Sequence, residues 1–266
     1  MAGRIRAGIG GWTFAPWRGV FYPQGTRQAD ELAFASRHVT VIEINATYYS
    51  TFKPATFAGW AAQTPEDFVF AVKASRFCTN RKALGEAGPS VERFLGQGLA
   101  ELGDRLGPIV WQFMPTKKYD PDDFTGFFAL LPKTLEGLPL RHCLEVRHPS
   151  FADPSFVAQC RDHGVAICLA DHETYPLIPD VAADFVYARL MTGRDDIETA
   201  YEDAGLGAWA KRFEAFARGD APAGLAPVDA GHAAPKADRD VFAFFIHAGK
   251  VRAPAAAMAL LKRLEA

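Results

Sequence analysis

The sequence predicts a single (β/α)8 barrel, and three observations predict it. Eight short apolar runs, each closed by turn residues, recur along the 266 residues. Segments with helical spacing separate most of them, and parallel neighbouring strands need such crossovers. No composition shift or linker divides the chain, and such barrels commonly take roughly 250 residues as one domain. One domain over residues 1–266 is therefore expected.

The strands are expected at residues 5–12, 39–49, 68–75, 108–114, 142–148, 165–171, 185–190 and 241–247. The first ends in Gly10-Gly11, and the others are dominated by Val, Ile, Phe and Tyr, which suit a pleated, buried surface. Helices are expected at 30–37, 54–63, 89–103, 121–131, 154–163, 208–217 and 254–264. Several start on a proline suited to a first helical turn, and Val91, Phe94, Leu95, Leu99 and Leu102 mark one apolar face. The connection 173–183 reads as the weakest helix, because it contains Pro176 and Pro179. Residues 219–239, rich in Ala, Gly and Pro, read as a mobile loop on the face opposite the strands' C-terminal ends.

Composition limits the function classes. Hydrophobic residues make up 49% and charged residues 23%, so the chain collapses into a core rather than staying disordered. No stretch approaches the roughly 18 uninterrupted apolar residues of a membrane span. The start reads as strand, without the apolar region of a signal peptide, so a cytoplasmic location is expected. With 29 basic and 31 acidic side chains, the net charge of −2 gives no bulk attraction to nucleic acid or anionic lipid. Cys78, Cys143, Cys160 and Cys168 form no C-x-x-C pair and read as buried reduced thiols. There is no dinucleotide fingerprint, Walker loop or G-x-S-x-G elbow.

The strand ends carry the chemistry. In such barrels the active site lies at the C-terminal ends of the strands, and inward positions alternate. A purely structural barrel would place Val, Ile or Ala there. Here the second strand ends in Glu43 and Asn45, followed by Tyr48, and the third carries Lys73. The fourth carries Gln112, the fifth Glu145 and Arg147 followed by His148, and the sixth ends in Asp171-His172. The seventh carries Tyr187 and Arg189, the eighth ends in His247, and the first runs into Trp12. Burying one charge costs several kcal/mol unless it is paired or liganded, so six charges converging on one mouth favour a functional site over a purely structural ion network.

The same residues carry a family resemblance. Gly8-Ile9-Gly10-Gly11-Trp12, Trp17 to Pro23, Glu43 to Tyr49 and Phe70-Ala71-Val72-Lys73 resemble motifs of the DUF72 (YecE-like) family. Leu106-Gly107-Pro108 with Gln112 and Pro115, Glu145-Val146-Arg147-His148 and Tyr187-Ala188-Arg189-Leu190 continue the resemblance in order. It implies a TIM-type barrel and supplies no reaction, the family being one of unknown function. The chain departs from it twice: Met191-Thr192-Gly193 stands where the family often has His-Gly, and Phe245-Ile246-His247-Ala248-Gly249-Lys250 where it commonly has an aromatic-Asn-Asn segment.

The leading functional expectation is an enzyme, a hydrolase or isomerase, acting on a small polar or anionic ligand of the sugar or nucleotide phosphate type. Glu43, Glu145, Lys73 and Asp171 are the candidate catalytic groups, with the two glutamates as acid and base tuned toward neutral pH. Trp12, Asn45, Tyr48, Gln112, Arg147, His148, Arg189 and His247 are the candidate ligand contacts, the arginines for phosphate or carboxylate. No cofactor is expected. In a metal-dependent phosphoesterase or isomerase, Glu43, Glu145, Asp171 and His172 or His247 would hold Mg2+, Mn2+ or Zn2+, although Lys73 and Arg147 weigh against a cation. A glycosidase would need Glu43 and Glu145 about 5–10 Å apart. A non-catalytic ligand- or nucleic-acid-binding protein would use a basic rim of Arg4, Arg6, Arg76, Arg81, Lys82, Lys117 and Lys118. No membrane partner is expected, and the sequence does not specify an oligomeric state.

Overall fold

The computed structural model describes residues 3–265. Eight parallel strands close into a barrel in sequence order: β1 (Ile5–Gly10), β2 (Val41–Ile44), β3 (Val69–Lys73), β4 (Leu106–Gln112), β5 (His142–Glu145), β6 (Ala166–Asp171), β7 (Phe185–Thr192) and β8 (Asp240–Ala248). Each apolar run identified in the sequence supplies one strand. The runs at 5–12, 39–49, 68–75 and 142–148 extend past their strands because their last residues turn into the loops above the barrel, whereas β7 and β8 run on beyond the expected 190 and 247.

Side chains alternate between two cores. Val41, Ala71, Val110, Cys143, Cys168, Tyr187 and Phe244 fill the interior, while Ile42, Val72, Trp111, Leu144 and Leu169 pack outward against the helices. Gly8 marks a close approach, since a Cβ there would stand 1.6 Å from the Val41 carbonyl oxygen. The aromatic segment after β1 seals the first loop: Trp17 Nε1 donates to the Lys250 carbonyl at 2.8 Å, and the Tyr22 hydroxyl donates to the Trp12 carbonyl at 2.6 Å. All four cysteines are buried and unpaired.

The expected helices form with several differences: Asp203–Ala217 starts five residues before the expected 208, and a short helix, Arg76–Thr79, was not expected. The stretch 89–103 breaks into Gly88–Leu95 and a 3-10 segment, Leu99–Arg105, because Gly98 takes a left-handed φ of 111°. Residues 173–183 form no helix, since Pro176 and Pro179 each remove a backbone donor and fix φ. A short antiparallel hairpin, Thr134–Leu135 with Leu138–Pro139, turns through Glu136 and Gly137 at positive φ and had no periodicity to announce it. The Ala/Gly/Pro-rich segment 219–239 contains no helix or strand. It follows helix Asp203–Ala217 and precedes β8, which puts it at the strands' N-terminal ends. There the Asp180 carboxylate accepts from the Val228 and Asp229 amides at 2.7 and 2.9 Å, and Arg161 pairs with Asp229. Among the described residues no helix is long and apolar enough to cross a membrane.

Candidate functional site

Four strands bring one polar cluster to the C-terminal mouth. The interior faces of β2, β3, β5 and β7 run Val41-Glu43, Val69-Ala71-Lys73, Cys143-Glu145 and Phe185-Tyr187-Arg189-Met191, so Glu43, Lys73, Glu145 and Arg189 converge near the mouth. Arg189, 5% exposed, is the centre. Its Nη2 donates to Glu43 Oε1 at 3.0 Å, and its Nη1 donates to Glu145 Oε2. The Tyr187 hydroxyl donates to the remaining Glu43 oxygen, Oε2, at 2.5 Å. Arg147 closes the ring on Glu145 Oε1, with Nε at 2.8 Å and Nη2 at 2.6 Å.

This wiring corrects the expected acid–base pair. Glu43 and Glu145 are fully buried, and every carboxylate oxygen already accepts from a neighbour. Burial raises the Glu145 pKa, but Arg189, Arg147 and Lys73 together outweigh it and hold the carboxyl below its ordinary range. Burial likewise opposes the charge on Arg189, and Glu145 and Glu43 more than restore it. A general acid must hold a proton, so the lowered Glu145 fits that role poorly.

Lys73 differs from the other cations. It is 8% exposed, among the described residues no carboxylate lies in salt-bridge range of it, and its ammonium stands 4.3 Å from the centre of the Tyr48 ring. Burial first, then the Arg189 charge, lowers its pKa to about 8. Thr47 fixes this pair: its hydroxyl donates at 2.6 Å to the Lys73 carbonyl and at 3.0 Å to that of Ile44, tying the turn that carries Tyr48 to the end of β3. Two further atoms bear on the site. Gln112 Oε1 and Arg189 Nε are buried with no hydrogen-bond partner among the described residues, and such atoms are costly unless something fills them.

Aromatic rings line one side of Arg147. The Arg147 guanidinium lies 4.8 Å from the Tyr175 ring, Tyr175 stacks on His172 at 3.7 Å, and His247 stands 5.7 Å from His172. His247 is exposed and holds a φ of 75°, where the pairing of β8 with β7 shifts register between Phe245 and Ala248. It is thus a rim residue, reaching Arg147 only through this stack. Tyr175 was missed by sequence reasoning, because the irregular segment 173–183 gives no periodic signal. Tyr187 had a signal: it sits two residues before Arg189, on the same face of an apolar strand.

The remaining candidates lie elsewhere. Asp171 follows Ala166, Cys168 and Ala170, which face inward, so its own side chain faces outward and accepts from the Thr192 hydroxyl at 2.7 Å. Trp12 is turned out by Gly11 at φ 73° and packs at 5.1 Å on Trp60 and 6.2 Å on Phe70. His148 Nδ1 accepts from the Ser150 amide at 3.1 Å and caps the turn Pro149–Phe151. Asn45 borders the mouth under Gly10, its amide donating to the Glu43 carbonyl at 3.3 Å. The basic residues do not form one rim. Arg4 and Arg6 lie at the start of β1, the opposite end of the barrel from Arg76, which follows β3, and Lys117 is neutralised by Asp123. Among the described residues no group of three or more His, Cys, Asp and Glu side chains is arranged to hold a metal.

Known structures share the architecture. A DUF72 family protein from Thermotoga maritima has a TM-score of 0.73 at 21% identity, over 99% of this chain and 100% of that one. Another from Enterococcus faecalis has a TM-score of 0.69 at 16% identity, over 99% and 98%. A D-psicose 3-epimerase determined in the presence of D-fructose has a TM-score of 0.51 at 13% identity, over 94% and 89%. At these identities the likeness is one of fold. No curated protein matches the chain. The family model "Protein of unknown function DUF72" matches residues 6–266, nearly the whole barrel and every strand that builds the mouth, and the chain therefore belongs to the DUF72 family.

Proposed function

We propose that the mouth of this barrel binds a small anionic ligand of the sugar-phosphate type and that the protein is an enzyme acting on it. One observation carries the reading. The cluster sets two buried cations, Lys73 and Arg189, and the half-buried Arg147 against two buried carboxylates, and Lys73 is the cation left without one. An excess positive charge in a low-dielectric site is costly alone and is relieved by a bound anion. Gln112 Oε1 asks in addition for a donor, and a sugar hydroxyl is one. Arg147, with Nη1 outside its bonds to Glu145, supplies the group for the phosphate, and the Tyr175–His172 stack offers a flat wall beside it.

Within this reading the glutamates orient cations rather than move protons. The group suited to proton transfer is Lys73, whose pKa of about 8 lies near the working range. An isomerase with a lysine base fits these parts better than a hydrolase with paired carboxyls.

The test is calorimetric titration with inorganic phosphate and with fructose 6-phosphate. Binding of the sugar phosphate is expected to be tighter than that of phosphate, and Lys73→Met is expected to weaken both by about tenfold or more, as for loss of one charge-assisted hydrogen bond. Equal affinity in wild type and Lys73→Met would remove the cluster from the binding site.

A further inference from the structure

We propose that Lys73 is a nucleophile that forms a Schiff base with the carbonyl carbon of an open-chain aldose or ketose phosphate. The proposal rests on the anion-binding reading above and names the substrate's reactive group: a free aldehyde or ketone, rather than a phosphoester or a glycosidic bond.

Four observations support it. Lys73 is the one buried lysine among the described residues. It ends β3 on the interior face, in the layer where substrates meet a barrel of this kind. The oxygens that could pin it as an ion-pair partner are committed elsewhere, those of Glu43 to Arg189 and Tyr187 and those of Glu145 to Arg189 and Arg147. A lysine kept only for structure would hold one of these carboxylates. Lys73 instead rests on the face of Tyr48, and among the described residues no side chain accepts a hydrogen bond from its ammonium. Finally, Gln112 Oε1 stands unpartnered on the neighbouring strand β4, where Lys73 pairs in register with Val110, two residues before it.

The free amine is available near neutral pH. Burial and the Arg189 charge bring Lys73 to about 8, so at pH 7 it has roughly 300 times the free-base fraction of a lysine at its ordinary value. The groups facing it from other elements are Glu43 on β2, Glu145 and Arg147 on and after β5, and Arg189 on β7. The arginines depress its pKa and the carboxylates oppose them.

The step balances without any oxidant or reductant. The Lys73 nitrogen lone pair forms a C–N bond to the carbonyl carbon as the C=O π pair moves onto oxygen. A proton passes from nitrogen to that oxygen, giving a carbinolamine whose hydroxyl is a donor that Gln112 Oε1 is placed to accept. The C–O bond then breaks with uptake of one proton, water leaves, and an iminium remains on Lys73. The site's positive charge is conserved, so the phosphate on Arg147 keeps its electrostatic partner, and the iminium acidifies the neighbouring C–H bond as an isomerisation requires.

The experiment uses the wild-type protein and needs no variant to fold. It is incubated with dihydroxyacetone phosphate and sodium cyanoborohydride at pH 7, digested, and mapped by mass spectrometry, with binding of inorganic phosphate measured in parallel by calorimetry. The proposal expects reductive alkylation at Lys73 at least ~10-fold faster than at any exposed lysine, with inorganic phosphate slowing it. It also expects the Lys73 rate to level off above about pH 8, while exposed lysines keep accelerating. Labelling confined to exposed lysines overturns it. If phosphate still binds in that case, only the covalent step has failed; if phosphate does not bind, the anion site has failed with it.

Discussion

Arg189 is the group whose removal has the largest calculable consequence. It bridges Glu43 and Glu145, both fully buried, and is itself 5% exposed. Arg189→Met keeps an unbranched side chain and deletes the charge, leaving both carboxylates without their shared partner. Removing one side of a buried ion pair typically costs about 3–5 kcal/mol. Glu145 keeps Arg147 and Glu43 keeps the Tyr187 hydroxyl, so the expectation falls at the lower end, about 3 kcal/mol at pH 7. Such a loss is a large share of the roughly 5–15 kcal/mol that holds a domain together, and shifts the midpoint of thermal unfolding by about 6–12 °C. The pH dependence separates this from lost packing. In the wild type Glu145 has a lowered pKa, so its contribution is present above the unfolded value and disappears as pH falls through the folded one. Without Arg189, burial weighs more heavily on Glu145 and its carboxyl titrates higher, so protonation relieves the variant first as pH falls. Urea unfolding at pH 7 and pH 4.5 should therefore show a deficit that shrinks in acid. A deficit below about 1 kcal/mol at pH 7, or one independent of pH, would refute the reasoning.

Three further outcomes follow from the same geometry. Lys73→Met should stabilise the protein by about 1–3 kcal/mol at pH 7 while weakening anion binding: the drop to about 8 corresponds to about 3 kcal/mol of burial cost, partly offset by the lost contact with Tyr48. The gain should fade between about pH 8 and pH 10.5, where the folded amine is already neutral and the unfolded one is not; a destabilised Lys73→Met sinks the claim that Lys73 is kept for function. Tyr187→Phe strips a donor from a buried oxygen of Glu43 and should lower stability by about 1–3 kcal/mol in thermal unfolding, whereas a neutral effect would mean the hydroxyl does not hold Glu43. Gly8→Ala drives a methyl into the Val41 carbonyl, 1.6 Å away, and should prevent soluble folding, since backbone on both sides resists the shift; a well-folded Gly8→Ala contradicts the close packing of β1 on β2.

The sequence made the barrel readable because each strand is an apolar run bounded by turn residues, and the two-residue period put Glu43, Glu145 with Arg147, and Tyr187 with Arg189 on inward faces. It misled where the period could not be phased. Residues 165–171 are apolar on both faces, so nothing in VAICLAD tells which side Asp171 takes; the structure shows it outward, beside Thr192. Trp12 was one residue past a glycine whose positive φ reverses the chain, a conformation the residue type allows but does not demand. The roles of the carboxylates were also beyond reach. Two glutamates in an apolar wall suggest raised pKa values, and only the placement of Arg189 between them shows that Glu145 is held ionised instead. Tyr175 became visible only through the stack that positions Arg147, because a proline-broken segment carries no pattern to read.

On the proposed function, the excess cation at the mouth, centred on Lys73, recognises an anion. The most direct measurement is a crystal structure grown with arsenate, with the arsenic located by its anomalous signal. One dominant arsenic site is expected at the C-terminal mouth, within hydrogen-bond distance of Lys73 and Arg147. Arsenic found instead at the other end of the barrel, in the cavity of about 260 Å3 lined by Arg6, Arg141 and Asp240, with none at Lys73, would contradict it.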